Sequence, residues 1–151
     1  MKYAVFGAAG AATTTAATAG IFAVYNPASA TMAAAKIYEF AVGAGANSAD
    51  NTYGIRAKRI SSAPTVTAVT PSPLDAKAGA SVTLAGVAQT GAGSAGVMLG
   101  QWGFHMRGGY RWVAIPGGEL VVPLVFSNGI ILEYIFAQGT DVLEAEAYFE
   151  E

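Results

Sequence analysis

The segment "RWVAIPGGELVVPLVFSNGIILEY", Arg111–Tyr134, decides the fold class. It is rich in β-branched and aromatic residues, which fit a pleated, half-buried surface. Pro116-Gly117 has type II turn chemistry, with proline at the second position and glycine at the third. "ELVVPLVF" (119–126) is apolar on both faces, which implies cover from the core and from something else. Pro123 cannot donate to a ladder, so the ladder breaks or meets an edge there. Asn128-Gly129 predicts a hairpin, with "IILEYIF" (130–136) returning antiparallel. Glu133 points away from Leu132 and Tyr134 and is expected to be exposed. The segment therefore reads as three strands with very little chemistry.

The rest of the chain repeats the pattern. "IFAVY" (21–25) stops at Asn26-Pro27. "KIYEFAV" (36–42) alternates, with Tyr38, Phe40 and Val42 expected on one face and Ile37, Glu39 and Ala41 on the other. "TYGIRAKRI" (52–60), "TVTAV" (65–69), "SVTLAGV" (81–87), "VMLGQWGF" (97–104) and "YRWVAI" (110–115) are further short strands, separated by Gly, Pro, Asn and Ser clusters. "DVLEAEAYFE" (141–150) has helix-favouring composition. Its strict alternation favours a strand instead, with Leu143, Ala145, Ala147 and Phe149 inward. Eight to ten strands and no convincing helix predict an all-β, single-domain β-sandwich of jelly-roll or Greek-key type over residues 21–151. Residues 1–20 are expected to form an extended Ala/Gly/Thr-rich arm, because the glycines and threonines in "GAAGAATTTAATAG" (7–20) oppose helix.

Composition narrows the function. The chain has 151 residues, enough for one domain without disulfide or metal staples. Hydrophobic residues make up 53% and charged residues only 12%, about half the usual share of charge, so partner subunits are expected to cover part of the surface. The net charge is −2 and no basic stripe exists, which argues against nucleic acid. The one basic cluster, Arg56, Lys58 and Arg59, reads as a solvated strand face or a contact with an acidic partner. Asp141, Glu144, Glu146, Glu150 and Glu151 make the C-terminal end acidic. There are no cysteines. Ala28-Ser29-Ala30 mimics a cleavage site, but the stretch before it lacks the apolar core of a signal peptide. No run of apolar residues is long enough for a membrane helix.

Chemistry is hard to find. His105 is the only histidine, and it lies in the loop-like "GFHMRGG" without a nucleophile setting. Gly91–Gly96 formally match G-x-G-x-x-G, but a strand-like segment follows where a phosphate-binding helix is needed. Asn47, Asp50 and Asn51 could offer oxygen ligands, yet lack calcium-loop spacing. Glu119 and Glu133 show no sign of pairing across a cleft. Trp102, Tyr110, Trp112 and Tyr134 could form a sugar platform, but in so apolar a sandwich they read as core or subunit contacts. No catalytic, cofactor-binding or metal residue is expected.

"AKIYEFAVGAGANSADNTYGIRAKRIS", "TAVTPSPLD" and "YRWVAIPGGELVVPLVFSNGIILEY", with the amino end "FGAAGAATTTAATAG", resemble a group of small tailed-bacteriophage virion proteins, the capsid decoration (cement, head-stabilising) proteins. The resemblance spans residues 2 to 149 and is one of pattern, with no catalytic signature to carry over. It implies a β-sandwich or jelly-roll subunit, often trimeric, on the outer surface of the capsid. There it would bridge major capsid protein subunits, with neither nucleic acid nor membrane as partner. Other phage virion sandwiches (a head fibre base, a tail component, a jelly-roll capsid protein) and a carbohydrate-binding module are the alternatives. Partner contacts are expected at Tyr3, Phe6, Arg56, Lys58, Arg59, Val121 and Val125.

Overall fold

A computed structural model of the chain describes every residue except 12–19, 30, 47–49, 51, 92–93, 106 and 137–141. The described residues form strands and turns without a helix. In chain order the strands are β1 (Lys2–Ala11), β2 (Gly20–Tyr25), β3 (Ala35–Ala46), β4 (Thr52–Ile60), β5 (Thr65–Val69), β6 (Ser72–Pro73), β7 (Leu84–Gly91), β8 (Ala95–His105), β9 (Tyr110–Val113), β10 (Leu120–Val122), β11 (Gly129–Phe136) and β12 (Val142–Glu150).

They make two antiparallel sheets packed face to face, a β-sandwich. The first runs β10-β3-β12-β1-β6, with β9 beside β10 on the same edge of β3. The second runs β5-β7-β2-β11-β4-β8. Pairing is nested: β1 with β12, β2 with β11, β3 with β9 and β10, β4 with β8. The inward residues of both sheets form one core, in which Phe22, Phe40, Ile37, Ile55, Ile130 and Phe149 are fully buried. Each such side chain contributes about 1.5–3 kcal/mol by leaving water. Tyr3 stacks on its cross-strand partner Phe149 at 5.4 Å. At Gly7 the sheets meet closely, since a Cβ there would lie 2.7 Å from a Val87 methyl.

Aromatic rings fasten the β8–β9 side. Phe40 lies 5.3 Å from Trp102 and 5.2 Å from Trp112, and Tyr110 packs on Phe40, Trp102 and Phe104. Gly100 makes room for this cluster: a Cβ there would sit 2.6 Å from the Trp102 ring.

The strands match the sequence reading in kind, though among the described residues they number twelve rather than eight to ten and β7 covers Leu84–Gly91 rather than 81–87; four other differences carry more weight. Residues 2–11, expected within a separate arm, are β1, hydrogen-bonded between β12 and β6. Residues 12–19 of that arm lie outside the described residues. On β3 the alternation slips: Tyr148 pairs with Glu39 and Phe149 with Ile37, leaving Tyr38 as a bulge. Ile37, Phe40 and Val42 therefore face the core, and Tyr38 does not. "ELVVPLVF" is a strand only over Leu120–Val122; the ladder ends at Pro123, as the missing N–H requires. Asn128-Gly129 is not a hairpin. β10 pairs with β3 in the first sheet and β11 with β2 and β4 in the second, so the chain changes sheets there. Gly129 is needed for closeness, because a Cβ would fall 2.5 Å from the Val24 carbonyl oxygen. Pro116-Gly117 is the expected turn, with Gly117 at φ 82° and the Gly118 N–H donating to the Ile115 carbonyl at 2.8 Å.

Candidate interaction surface

Among the described residues the segment from Val113 to Phe126 carries the largest run of exposed apolar side chains. Val113, Ile115, Val121, Leu124, Val125 and Phe126 all reach solvent, Ile115 with 77% of its surface. Val113 and Val121 pair with Glu39 and Lys36 on the same edge of β3, and the Ile115 turn joins them. The loop that follows is held firmly. The buried Asn26 donates through Nδ2 to the Pro123 carbonyl at 2.7 Å, and its Oδ1 accepts from the Ala33 N–H. The Asn26 N–H donates to the Asn128 carbonyl at 2.9 Å, and the Val125 N–H to that of Pro123 at 2.8 Å. The backbone bonds hold the loop while its hydrophobic side chains stay exposed, which gives a ridge of apolar residues between Val113 and Phe126.

Of the residues expected to touch partners, Val121, Val125 and Phe6 are exposed. Tyr3 is buried against Phe149, with its hydroxyl donating to the Gly79 carbonyl, so it belongs to the core. Arg56 and Lys58 do not form a free cationic face. Glu133, expected to be exposed, is fully buried on the outer side of the second sheet, and its Oε1 takes Arg56 Nε at 2.5 Å and Lys58 Nζ at 2.6 Å. The register explains the correction: Glu133 pairs with Arg56 across β11 and β4, which places a carboxylate between two cations of the next strand. The acidic partner of the basic cluster is therefore in the same chain. Arg59 pairs with the core residue Ile130, and its Nε is buried without a hydrogen bond.

The residues tested for chemistry stay apart. His105 Nε2 lies 3.4 Å from Asp50, which also meets Arg107 Nε at 3.2 Å, and all three are exposed. This is a loop ion pair. Asn47 and Asn51 lie outside the described residues. Among the described residues no group of three or more His, Asp or Glu could hold a metal ion. Gly91 ends β7 and Gly96 belongs to β8, so the glycine-rich stretch links two strands. Glu119 accepts from the Gly117 N–H and closes the turn, and its own N–H, then that of Gly117, hold its carboxyl below the usual range. It shares no ion pair or hydrogen bond with Glu133. Trp102, Tyr110 and Trp112 pack on the core. Tyr134 is buried, which pushes its phenol far up, and its hydroxyl has no partner.

Sequence reasoning missed Val113, Ile115, Leu124 and Phe126. For Leu124 and Phe126 Pro123 was the available signal: once it ends β10, the apolar residues after it have no ladder to place them inside. Compared with protein-family models, curated proteins and solved structures, the chain has no match.

Proposed function

We propose that the chain is a structural virion protein that decorates and stabilises the outside of a bacteriophage capsid, bridging major capsid protein subunits as a homotrimer. The observation that carries this reading is the ridge from Val113 to Phe126, because apolar side chains left exposed on a bonded backbone mark a contact surface. Covering one such Ile, Leu or Phe contributes about 1.5–3 kcal/mol on full burial, so several together hold subunits without covalent bonds. Closed symmetry favours a ring over an open filament. The nested pairing supports the jelly-roll form of the sandwich. With β5–β7 set aside, β1-β12-β3-β9/β10 and β2-β11-β4-β8 are its two four-stranded sheets, an architecture used by capsid domains.

Adding the purified protein to expanded, undecorated heads tests the proposal. Saturable binding and a higher head melting temperature are expected. Ile115→Ser with Leu124→Ser should lose both effects while remaining folded. Heads that melt unchanged in excess wild-type protein would contradict it.

A further inference from the structure

The acidic C-terminal strand builds a second surface, on the outer face of the first sheet. One row of side chains crosses four strands there: Phe6 on β1, Glu146 on β12, Ala41 on β3 and Arg111 on β9. In the next row Glu144 stands beside Gly43. The small residues of β3 leave a trough of about 600 Å3, and a Cβ on Gly43 would meet nothing within 4 Å. Phe6 forms one wall. Gly109 brings the loop before β9 against β3 as the other; at φ 63° its absent Cβ would lie 3.0 Å from the Val42 carbonyl oxygen. At the usual strand spacing the walls stand about 14 Å apart, and Glu144 and Glu146 are about 7 Å apart along β12. That suits one extended chain.

The charges in the trough do not balance. The Arg111 guanidinium is taken by Glu39, with Nε 2.7 Å from Oε1. Among the described residues no cation lies within ion-pair distance of Glu144 or Glu146, and the Tyr148 hydroxyl donates to Glu146 at 3.3 Å. The local field is negative: burial, then Glu146, raise the Tyr148 phenol, and the Glu39 hydrogen bond, with Glu146 adding, holds Arg111 more firmly charged. Phe6 is about half exposed, edge-on to Tyr148 at 6.0 Å, with a ring available to a cation.

We infer that this trough docks an extended peptide segment of a partner protein bearing Lys or Arg, whose aliphatic stem lies on Phe6 and whose head meets Glu144 and Glu146. A neutral sugar could donate hydroxyls to the two carboxylates but would leave their charge unbalanced, which a cationic side chain would not. The chain's own Arg56 and Lys58 are occupied by Glu133, so they are not the cations a second copy would offer. The inference does not depend on the virion reading.

Fluorescence anisotropy with labelled octalysine at low salt tests it. Wild type should bind saturably. Each partly exposed ion pair is worth about 0.2–1 kcal/mol, so Glu144→Gln with Glu146→Gln should weaken binding by about 2- to 30-fold. Phe6→Leu, which keeps the apolar volume but removes the ring, should weaken it by about 2- to 5-fold. Asp75→Asn with Glu119→Gln removes the same charge elsewhere and should leave binding near wild type. Thermal melts matching wild type establish that each variant is folded. Absence of octalysine binding, equal binding by the Glu144/Glu146 variant, equal loss in the Asp75/Glu119 variant, or binding of neutral maltohexaose in place of octalysine would each overturn the inference.

Discussion

The two sheets share their wiring and their core, but their outer faces differ sharply. On the second sheet Ala23, Ile60 and Ile131 point away from the core and are still buried, with Tyr25 and Val66 packed on them. Val66 lies over Gly86, where a Cβ would come within 2.2 Å of its methyl. Glu133 belongs to this covered face. On the first sheet Lys2, Phe6, Tyr38, Glu144, Glu146 and Arg111 point outward and are exposed or half-exposed, although Ala4, of the same parity on β1, is buried. Alternation assigns a side chain to a face; neighbouring side chains and the segments laid over that face decide whether water reaches it. Glu133 and Glu146 have the same chemistry and the same outward parity, yet one is sealed between two cations and the other stands over an open trough.

Three carboxylates grade this difference. Glu133→Gln should cost about 3 kcal/mol in urea unfolding, at the low end for a broken buried pair because Arg56 and Lys58 retain some access to water. Replacing Glu133, Arg56 and Lys58 together by Leu and Met should recover most of that loss, since apolar groups of like volume often substitute for buried ion pairs. A loss under about 0.5 kcal/mol for Glu133→Gln would break the comparison, as that is the range of exposed sites.

Glu151 sits at the rim. Its carboxylate accepts from the Ser81 hydroxyl at 2.6 Å and the Thr83 N–H at 2.7 Å, while the Met1 ammonium donates to its main-chain oxygen. Burial pushes its carboxyl up, but these hydrogen bonds outweigh it and leave the group below the usual range. A folded-state value below the unfolded one means that the stabilisation is full above the ordinary carboxylate range and is lost as pH falls through the folded value. Glu151→Gln should therefore cost about 1 kcal/mol at pH 7, and the gap to wild type should close in strong acid. A gap unchanged from pH 7 to pH 2 would contradict this. The smallest effect is expected at Glu146→Gln, under about 0.5 kcal/mol at any pH by the same unfolding assay. A loss as large as that at Glu133 would mean that the first sheet's outer face is covered too.

Much of this architecture was legible in the residues. β4 and β5 begin and end where their alternation and flanking turns place them, and β12 is a strand despite its Leu, Glu and Ala because its inward set repeats every second residue. Where the reading failed, the cause was an interaction between strands distant in sequence. The bulge at Tyr38 depends on register with β12, which begins about a hundred residues later. Burial of Glu133 depends on two cations of β4, and local sequence shows only that the side chain points outward. Asn128-Gly129 has hairpin chemistry, but pairing of β10 with β3 overrides it. The ridge escaped for a related reason: "ELVVPLVF" looks like core until Pro123 and the Asn26 anchor turn its second half to solvent.

If the ridge joins copies of the chain, sedimentation equilibrium of the purified protein at micromolar concentration will show it. A particle of three times the 15.3 kDa chain mass is expected, and a folded single chain for Leu124→Ser with Phe126→Ser. A wild-type protein that sediments as a 15.3 kDa monomer, or a double variant that remains trimeric, would contradict it.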